Sequence, residues 1–475
     1  MTVVLNGSSL TMAELVRVAR QHERVELHPD TAEPMAVARA VVERIVAAGI
    51  PAYGLTTGVA ARKRHTIAAD EQAEHNRLMI ETDMVGQGPD APEDVVRGTI
   101  LRLVNGFAKG TAGVRSELVD RLVAALNNGA SPTVKQYGSL GMADLAPMAE
   151  LARGILGDFE LHAKEAVSLV DNNAFSTASA TLAVHDLERL LDAYDVAAAL
   201  DLEAFAANLS ILHPAAVQVR PYPGLQATVA RLTTLLAGSS LWVDGTARNL
   251  QDPLSFRCIP QVHSAAREAL GYGQRQLAIE LNASQENPLI VADEGTIVSV
   301  GSFDPLILAA ALDFLRVALA PVITSGCERL VKLMQAPTSG LAEGLSPRHD
   351  FATTVFPQFA YAAAAITAEA RLLAAPVSYE LSTTSIAEGI EDRMTMAPLA
   401  ARRLSEMVGL GERVAAIELT VAAQAVDLRA PEALGTGTAK LHAIIRDRTG
   451  ERTGDVEPLL ELVHSGVLST IGVAE

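Results

Sequence analysis

Along most of this chain, apolar residues recur with the three- and four-residue spacing of amphipathic helices. The segment "SLTMAELVRVA" follows a short strand or turn. It opens with a Ser/Thr cap, carries Glu14 in its first turns and spaces Leu15, Val18 and Ala19 helically. "AVARAVVERIVAAGIPAYGL" predicts a helix ended by Gly49 and Pro51, and residues 54–66 read as loop. Further helices are predicted over 68–80, 93–107, 113–128, 144–157, 177–200, 225–241, 260–282, 305–334, 351–375 and 396–427. "NASQENPLIVADEGTIVSVGSFDP" is hairpin-like, and "QAPTSGLAEGLSP" and "STTSIAEGIEDRM" are loops. No repeat of solenoid period is present, so the pattern predicts a mainly α fold with a bundle of long helices.

Composition sharpens this picture. Of 475 residues, 49% are hydrophobic and only 4% aromatic, which points to closely packed helices lined by Ala and Leu. The formal net charge of −18 argues against a nucleic-acid or anionic-membrane surface, both of which need basic patches. Two cysteines, Cys258 and Cys327, make no disulfide framework and fit a reducing cytoplasm. The N-terminus lacks the basic start and apolar core of a signal peptide. In the most apolar run, Pro305 to Ile323, Asp313 and Arg316 lie one turn apart, as expected of a buried bundle helix with one ion pair.

One loop, "NNGASPTVKQYGSLGMA", is long and sits between two helices, a placement that favours function. Its end, "GSLGMADLAPMAEL", resembles a motif of the aromatic amino-acid ammonia-lyases typified by histidine ammonia-lyase. The resemblance extends over nearly the whole chain, through "YGLTTGVA", "LRLVNGFAKGTAGVR", "RPYPGLQ", "QDPLSFRC", "NASQENPLI", "GSF", "GIEDRMTM" and "AAQAVDLR". It implies a smaller N-terminal domain (1–200, with the loop at 132–147) on a central and C-terminal helical bundle (201–475). It also implies a homotetramer whose active sites are each built from several chains.

The family's electrophile is a methylidene-imidazolone made from an Ala-Ser-Gly triad in this loop. The glycine nitrogen attacks the alanine carbonyl and the serine loses its hydroxyl. Here Met142-Ala143 stand in that place, followed by Asp144, and the loop is one residue short. Ala143 has no hydroxyl to lose and the glycine is missing, so these residues are expected to form no such cofactor. Ser139 lacks a following glycine, and "Gln136-Tyr137-Gly138" only loosely resembles the cyclising tripeptide of fluorescent proteins. Asp144 is expected to cap the helix "LAPMAELARGIL".

Other positions are carried over by resemblance. Tyr53 matches a tyrosine that acts as acid or base. The family's second tyrosine is here Leu254, which moves no proton. Arg257 matches an arginine that grips a substrate carboxylate with its forked donors. Glu391 and Phe303 are kept, whereas the glutamine beside Glu391 is replaced by Ile390. "VDNNA" puts Asp171 where the family has a substrate-facing asparagine, with Asn172 beside it. "GSFD" adds Asp304, and Glu81 aligns with a family histidine, Asp83 being its alternative. Isolated carboxylates are more often solvated or capping groups, and Arg257 and Tyr53 have structural readings too. No metal-ligand spacing, P-loop, GxGxxG or GxSxG is present.

The expectation is an enzyme that keeps the family's pocket without its cofactor. It would use acid–base chemistry (elimination, addition, cyclisation or isomerisation) on a small carboxylate-bearing, amine-containing substrate. Tyr53, Glu391 and Asp171 would be catalytic. Arg257, Asn172, Phe303, Asp304, Glu81 and Leu254 would line the substrate. The alternatives are an inactive scaffold and an ammonia-lyase with an unusually formed cofactor. Neither a nucleic acid nor a membrane is expected as partner.

Overall fold

The computed structural model describes residues 2–347, 356–379, 386–450 and 455–472. In chain order its elements begin with β1 (Thr2–Leu5), α1 (Met12–Gln21), β2 (Arg24–Leu27), α2 (Ala32–Ala47) and α3 (Gln72–Asp83). Then follow β3 (Gln87–Asp90), α4 (Glu93–Ala108), α5 (Ser116–Asn127), β4 (Lys135–Tyr137), α6 (Leu145–Leu156), α7 (Glu165–Val170) and α8 (Ala174–Phe205). Next are α9 (Pro214–Gln218), α10 (Pro223–Leu235), α11 (Leu254–Arg257), α12 (Ile259–Glu280), β5 (Leu289–Val291), β6 (Thr296–Val298) and α13 (Leu306–Met334). The chain ends with α14 (Ala336–Ser339), α15 (Pro357–Leu373), α16 (Ala397–Arg429), α17 (Thr436–Thr449) and α18 (Glu457–Ser465). The fold is mainly α, as the periodicity predicts. The first five residues of the helix expected over 351–375 lie outside the described residues.

The chain divides into two compact units, each assembled from separate stretches of sequence. The first comprises Met1–Ala183, Gly273–Leu312 and Pro376–Arg402. Here α1 starts with the expected capping box, Thr11 and Glu14 each satisfying the other's backbone N–H. Its apolar face, Leu15, Val16, Val18 and Ala19, packs on α4. The strands β1 and β2 pair in parallel, and β5 and β6 form the expected hairpin. Inside, α3 and α6 pack on each other and on α7, around a core that includes Ile100, Leu122, Met148 and Leu169. This packing presents the ends of α3 and α7 and the start of α6, which carry the candidate chemistry.

The second unit comprises Val184–Tyr272, Asp313–Ala375 and Arg403–Glu475. Its interior is rich in fully buried alanines and leucines, among them Ala193, Ala197, Leu200, Leu319 and Leu419. The expected Asp313–Arg316 ion pair is formed and buried, and the Arg316 guanidinium also donates to the carbonyls of Leu373 and Ala375. Among the described helices, α13 alone is long and apolar enough to cross a membrane, and 61% of its most apolar window is buried within the protein. That burial, with an ion pair inside it, suits a core helix. A second buried cluster joins Arg329 to Asp201 and Glu418, at 2.8 and 2.6 Å.

Candidate active site

The degenerate cofactor loop runs from β4 into α6 and turns through residues of positive φ: Gly138 (125°), Gly141 (81°) and Ala143 (54°). A side chain at Gly141 would stand 2.3 Å from the Thr395 hydroxyl, so glycine is required there. The Ser139 hydroxyl accepts from the Gly141 N–H at 3.1 Å and lies 3.2 Å from both the Ala143 carbonyl and an Asp144 oxygen. The Thr395 hydroxyl donates to the Gly141 carbonyl at 2.8 Å. Ala143 N–H donates to the Phe303 carbonyl and Asp144 N–H to the Asn172 carbonyl, at 3.2 and 2.8 Å. The turn is thus clamped from three separate stretches of chain.

Asp144 corrects one expectation. It occupies the N-cap position of α6, but its carboxylate does not cap that helix. One oxygen accepts from the N–H and the hydroxyl of Ser176, both at 2.8 Å, and so caps the first turn of α8. The Asn172 side chain helps, accepting from the Ala174 N–H at 3.0 Å. Burial raises the Asp144 carboxyl to about 6, although its three hydrogen bonds pull the other way.

The loop does not suit the methylidene-imidazolone. Between Gly141 and Asp144 there is no serine to lose water and no glycine nitrogen to close a ring. Ser139, the nearest hydroxyl, is held by its own turn. Met142 is half-buried and Ala143 fully so.

Next to this loop the first unit gathers carboxylates around one tyrosine. Asp171 is the C-cap of α7 and half-buried. Burial raises its carboxyl to about 7. The Lys164 cation and a hydrogen bond from Asn287 lower it, and the charges of Glu391 and Glu286 raise it. Asp83, the last residue of α3, is raised to about 6 by burial and by Glu391. Tyr53 is half-buried, and its phenolic oxygen accepts from the Ala60 N–H at 3.0 Å, which leaves its own proton free to donate. Burial holds that proton above the usual phenol range, against the Ala60 bond and with help from the Asp171 and Glu391 charges. Glu391 is exposed, on a turn bridged to Ile386. Glu391 therefore acts electrostatically on Tyr53, Asp83 and Asp171, and Asp171 acts on Tyr53 as well.

Other predicted positions fall elsewhere. Glu81 lies on the exposed side of α3, ion-paired with Arg77 at 2.6 Å, while Asp83 is the residue whose charge bears on Glu391. The Asn172 amide is spent on the carbonyls of Ser168 and Leu169. Asp304 caps α13 through the Leu306 N–H and pairs with Arg393 at 3.1 Å. Phe303 is half-buried, and its carbonyl holds the loop. In the second unit, α11 carries Leu254, 62% exposed, and half-buried Arg257, whose guanidinium makes no hydrogen bond or ion pair to a described residue. Among the described residues no group of His, Cys, Asp or Glu is placed to hold a metal ion.

Sequence reasoning missed Lys164. It is fully buried, precedes α7 with φ 80°, and is lowered to about 8 by burial against the charges of Glu286 and Asp171.

Comparison with known proteins identifies the family. The family described as aromatic amino acid lyase matches residues 10–162 and 156–447. Histidine ammonia-lyase of Symbiobacterium thermophilum is 33% identical over 498 aligned positions, covering 98% of this chain and 98% of the relative. That of Deinococcus radiodurans is 34% identical, covering 92% and 88%. Among solved structures, ergothionase from Treponema denticola, an ergothioneine degrading enzyme in complex with desmethyl-ergothioneine sulfonic acid, is similar with a TM-score of 0.94 at 27% identity. That match covers 99% of this chain and all (100%) of the other. Histidine ammonia-lyase from Trypanosoma cruzi follows with a TM-score of 0.90 at 27% identity, over 100% and 96% of the two chains. Matched by that family over most of its length and by relatives more than 30% identical, the chain belongs to the aromatic amino acid lyase family and is an ammonia-lyase-type enzyme.

Proposed function

We propose that this enzyme eliminates an amine from a small carboxylate-bearing, cationic substrate without a methylidene-imidazolone. The observation that carries this reading is the group Tyr53, Asp83 and Asp171, each acted on by Glu391, in the unit whose loop lacks the cofactor-forming serine. In the family, the electrophile makes a poor amine leaving group depart. A quaternary ammonium needs no such help, because it leaves as a neutral tertiary amine. General acid–base catalysis alone supplies about a hundred- to ten-thousandfold, so the substrate must bring its own leaving group. Asp171 takes the proton from the carbon next to the one bearing nitrogen. The carbon–carbon double bond forms as the carbon–nitrogen bond breaks. Tyr53 stays neutral and donates a hydrogen bond to the developing anion. The carboxylates favour a cation in the site. By the family resemblance, which implies sites built from several chains, Arg257 holds the substrate carboxylate; in the first unit Phe303 and Met142 shape the pocket around Asp171. Addition, cyclisation and isomerisation would draw on the same groups, but a cationic leaving group favours elimination.

The similarity to an ergothioneine degrading enzyme supports an amino-acid betaine as the substrate class. We also propose a cytoplasmic homotetramer, supported by unpaired cysteines and by strongly exposed apolar side chains such as Tyr361 (71%) and Leu372 (77%). The experiment is a comparison of histidine and phenylalanine with their N,N,N-trimethyl betaines, following ultraviolet absorbance of the conjugated acid. Betaine turnover is expected, with the free amino acids inert and KM raised by Arg257→Ala. Turnover of the free amino acids with inert betaines would contradict the proposal.

A further inference from the structure

We propose that Lys164 is a positioning residue that keeps Asp171 in its proton-accepting form, acting on it from the same face of α7. This rests on reading Asp171 as the base. Positions 164, 168 and 171 are spaced i, i+4 and i+7, which places them on one side of a helix. The Lys164 ammonium donates to the Ser168 hydroxyl at 2.8 Å, one turn along from its own backbone and one turn before Asp171. That hydroxyl lies 3.3 Å from the Ala112 carbonyl, to which it donates, so the lysine is tethered from within the core.

A fully buried ammonium requires a counter-charge. Two carboxylates bear on it, Glu286 and Asp171. Glu286 is the stronger of the two influences, and it accepts at one oxygen from the hydroxyls of Thr111 (2.9 Å) and Ser284 (3.0 Å). Asp171 takes a hydrogen bond from the Asn287 amide, and it is the half-buried member of the pair. Lys164 also sits at φ 80°, a backbone conformation that residues with side chains disfavour.

The groups that face Asp171 explain why it needs the cation. Glu391 and Glu286 oppose its ionisation, as does burial, and Tyr53 is neutral. Lys164 is the one cation among these influences. Lys164 draws Asp171 towards its ionised form, against burial and the two carboxylates. Without it, nothing among these influences but the Asn287 hydrogen bond would favour the carboxylate.

The test is an infrared titration of the Asp171 carboxyl band in the full chain, assigned by subtracting the spectrum of Asp171→Asn. In Lys164→Met the midpoint should rise by about one pH unit or more. Ser168→Ala should move it the same way by less, and Lys164→Arg should restore it. The acidic limb of kcat/KM on a trimethyl betaine should move in parallel. An unchanged midpoint in folded Lys164→Met overturns the proposal. If that variant does not fold, an unchanged midpoint in Ser168→Ala overturns it. A shifted midpoint in a protein inert to every betaine upholds the coupling and defeats the catalytic reading. Betaine turnover with an unshifted midpoint does the reverse.

Discussion

Asparagine at position 171 is expected to lower kcat on a betaine substrate by about a hundred- to ten-thousandfold, with little change in KM. The substitution keeps the shape of the group and its hydrogen bond to Asn287; it removes the capacity to take a proton and one negative charge, while Glu391 remains to attract the cation. The pH profile carries a second signature. Asp171 in the folded protein titrates near 7, so wild-type kcat/KM should fall as pH drops below that value. The residual activity of Asp171→Asn should lose that limb. Stability shifts the other way. The folded value lies above the unfolded one of about 3.9, so folding favours the protonated form. Wild-type stability is therefore lost as pH rises from about 4 towards 7, and asparagine abolishes that dependence. A variant that retains wild-type kcat at its pH optimum would remove Asp171 from the chemistry.

Leucine in place of Arg329 is expected to cost about 3–5 kcal/mol of stability. Arg329 is fully buried and lies between Asp201 and Glu418, also fully buried. Burial and the Glu418 charge already lift Asp201 well above the carboxylate range, against the pull of Arg329, so one of the two carboxyls keeps a proton. Without the guanidinium, Asp201 loses the charge that opposes its protonation. Its folded value then lies still further above its unfolded one, so the penalty grows as pH rises above about 4. Urea unfolding of Arg329→Leu should show a larger loss at pH 8 than at pH 5. A loss independent of pH would mean that packing, rather than charge, is what Arg329 contributes.

The helical spacing of apolar residues located most long helices, including 93–107 and 305–334, within a few residues of α4 and α13. It missed α7, because six consecutive buried residues show no amphipathic face. It also passed over α17 and α18 near the C-terminus. The clamped turn was legible in "GSLGMADLAP", but the true target of Asp144 was not. Ser176 lies 32 residues on, and only the packing of α6 against the start of α8 brings the two together. Lys164 was invisible for a related reason: a lysine in a sequence defaults to a solvated side chain, and only the fold buries this one. Glu81 and Asp83 could have been told apart. Arg77 stands four residues before Glu81, the spacing of a surface ion pair, and that marks Glu81 as the outward residue.

The most direct test of an elimination that proceeds without the family's electrophile is the intact mass of the purified protein, measured on a sample that turns over a betaine. Backbone cyclisation and dehydration in the loop remove two waters. The mass should equal that of the plain sequence, with Met142 and Ala143 unmodified. A deficit of two waters, mapped to residues 136–144, would contradict the account.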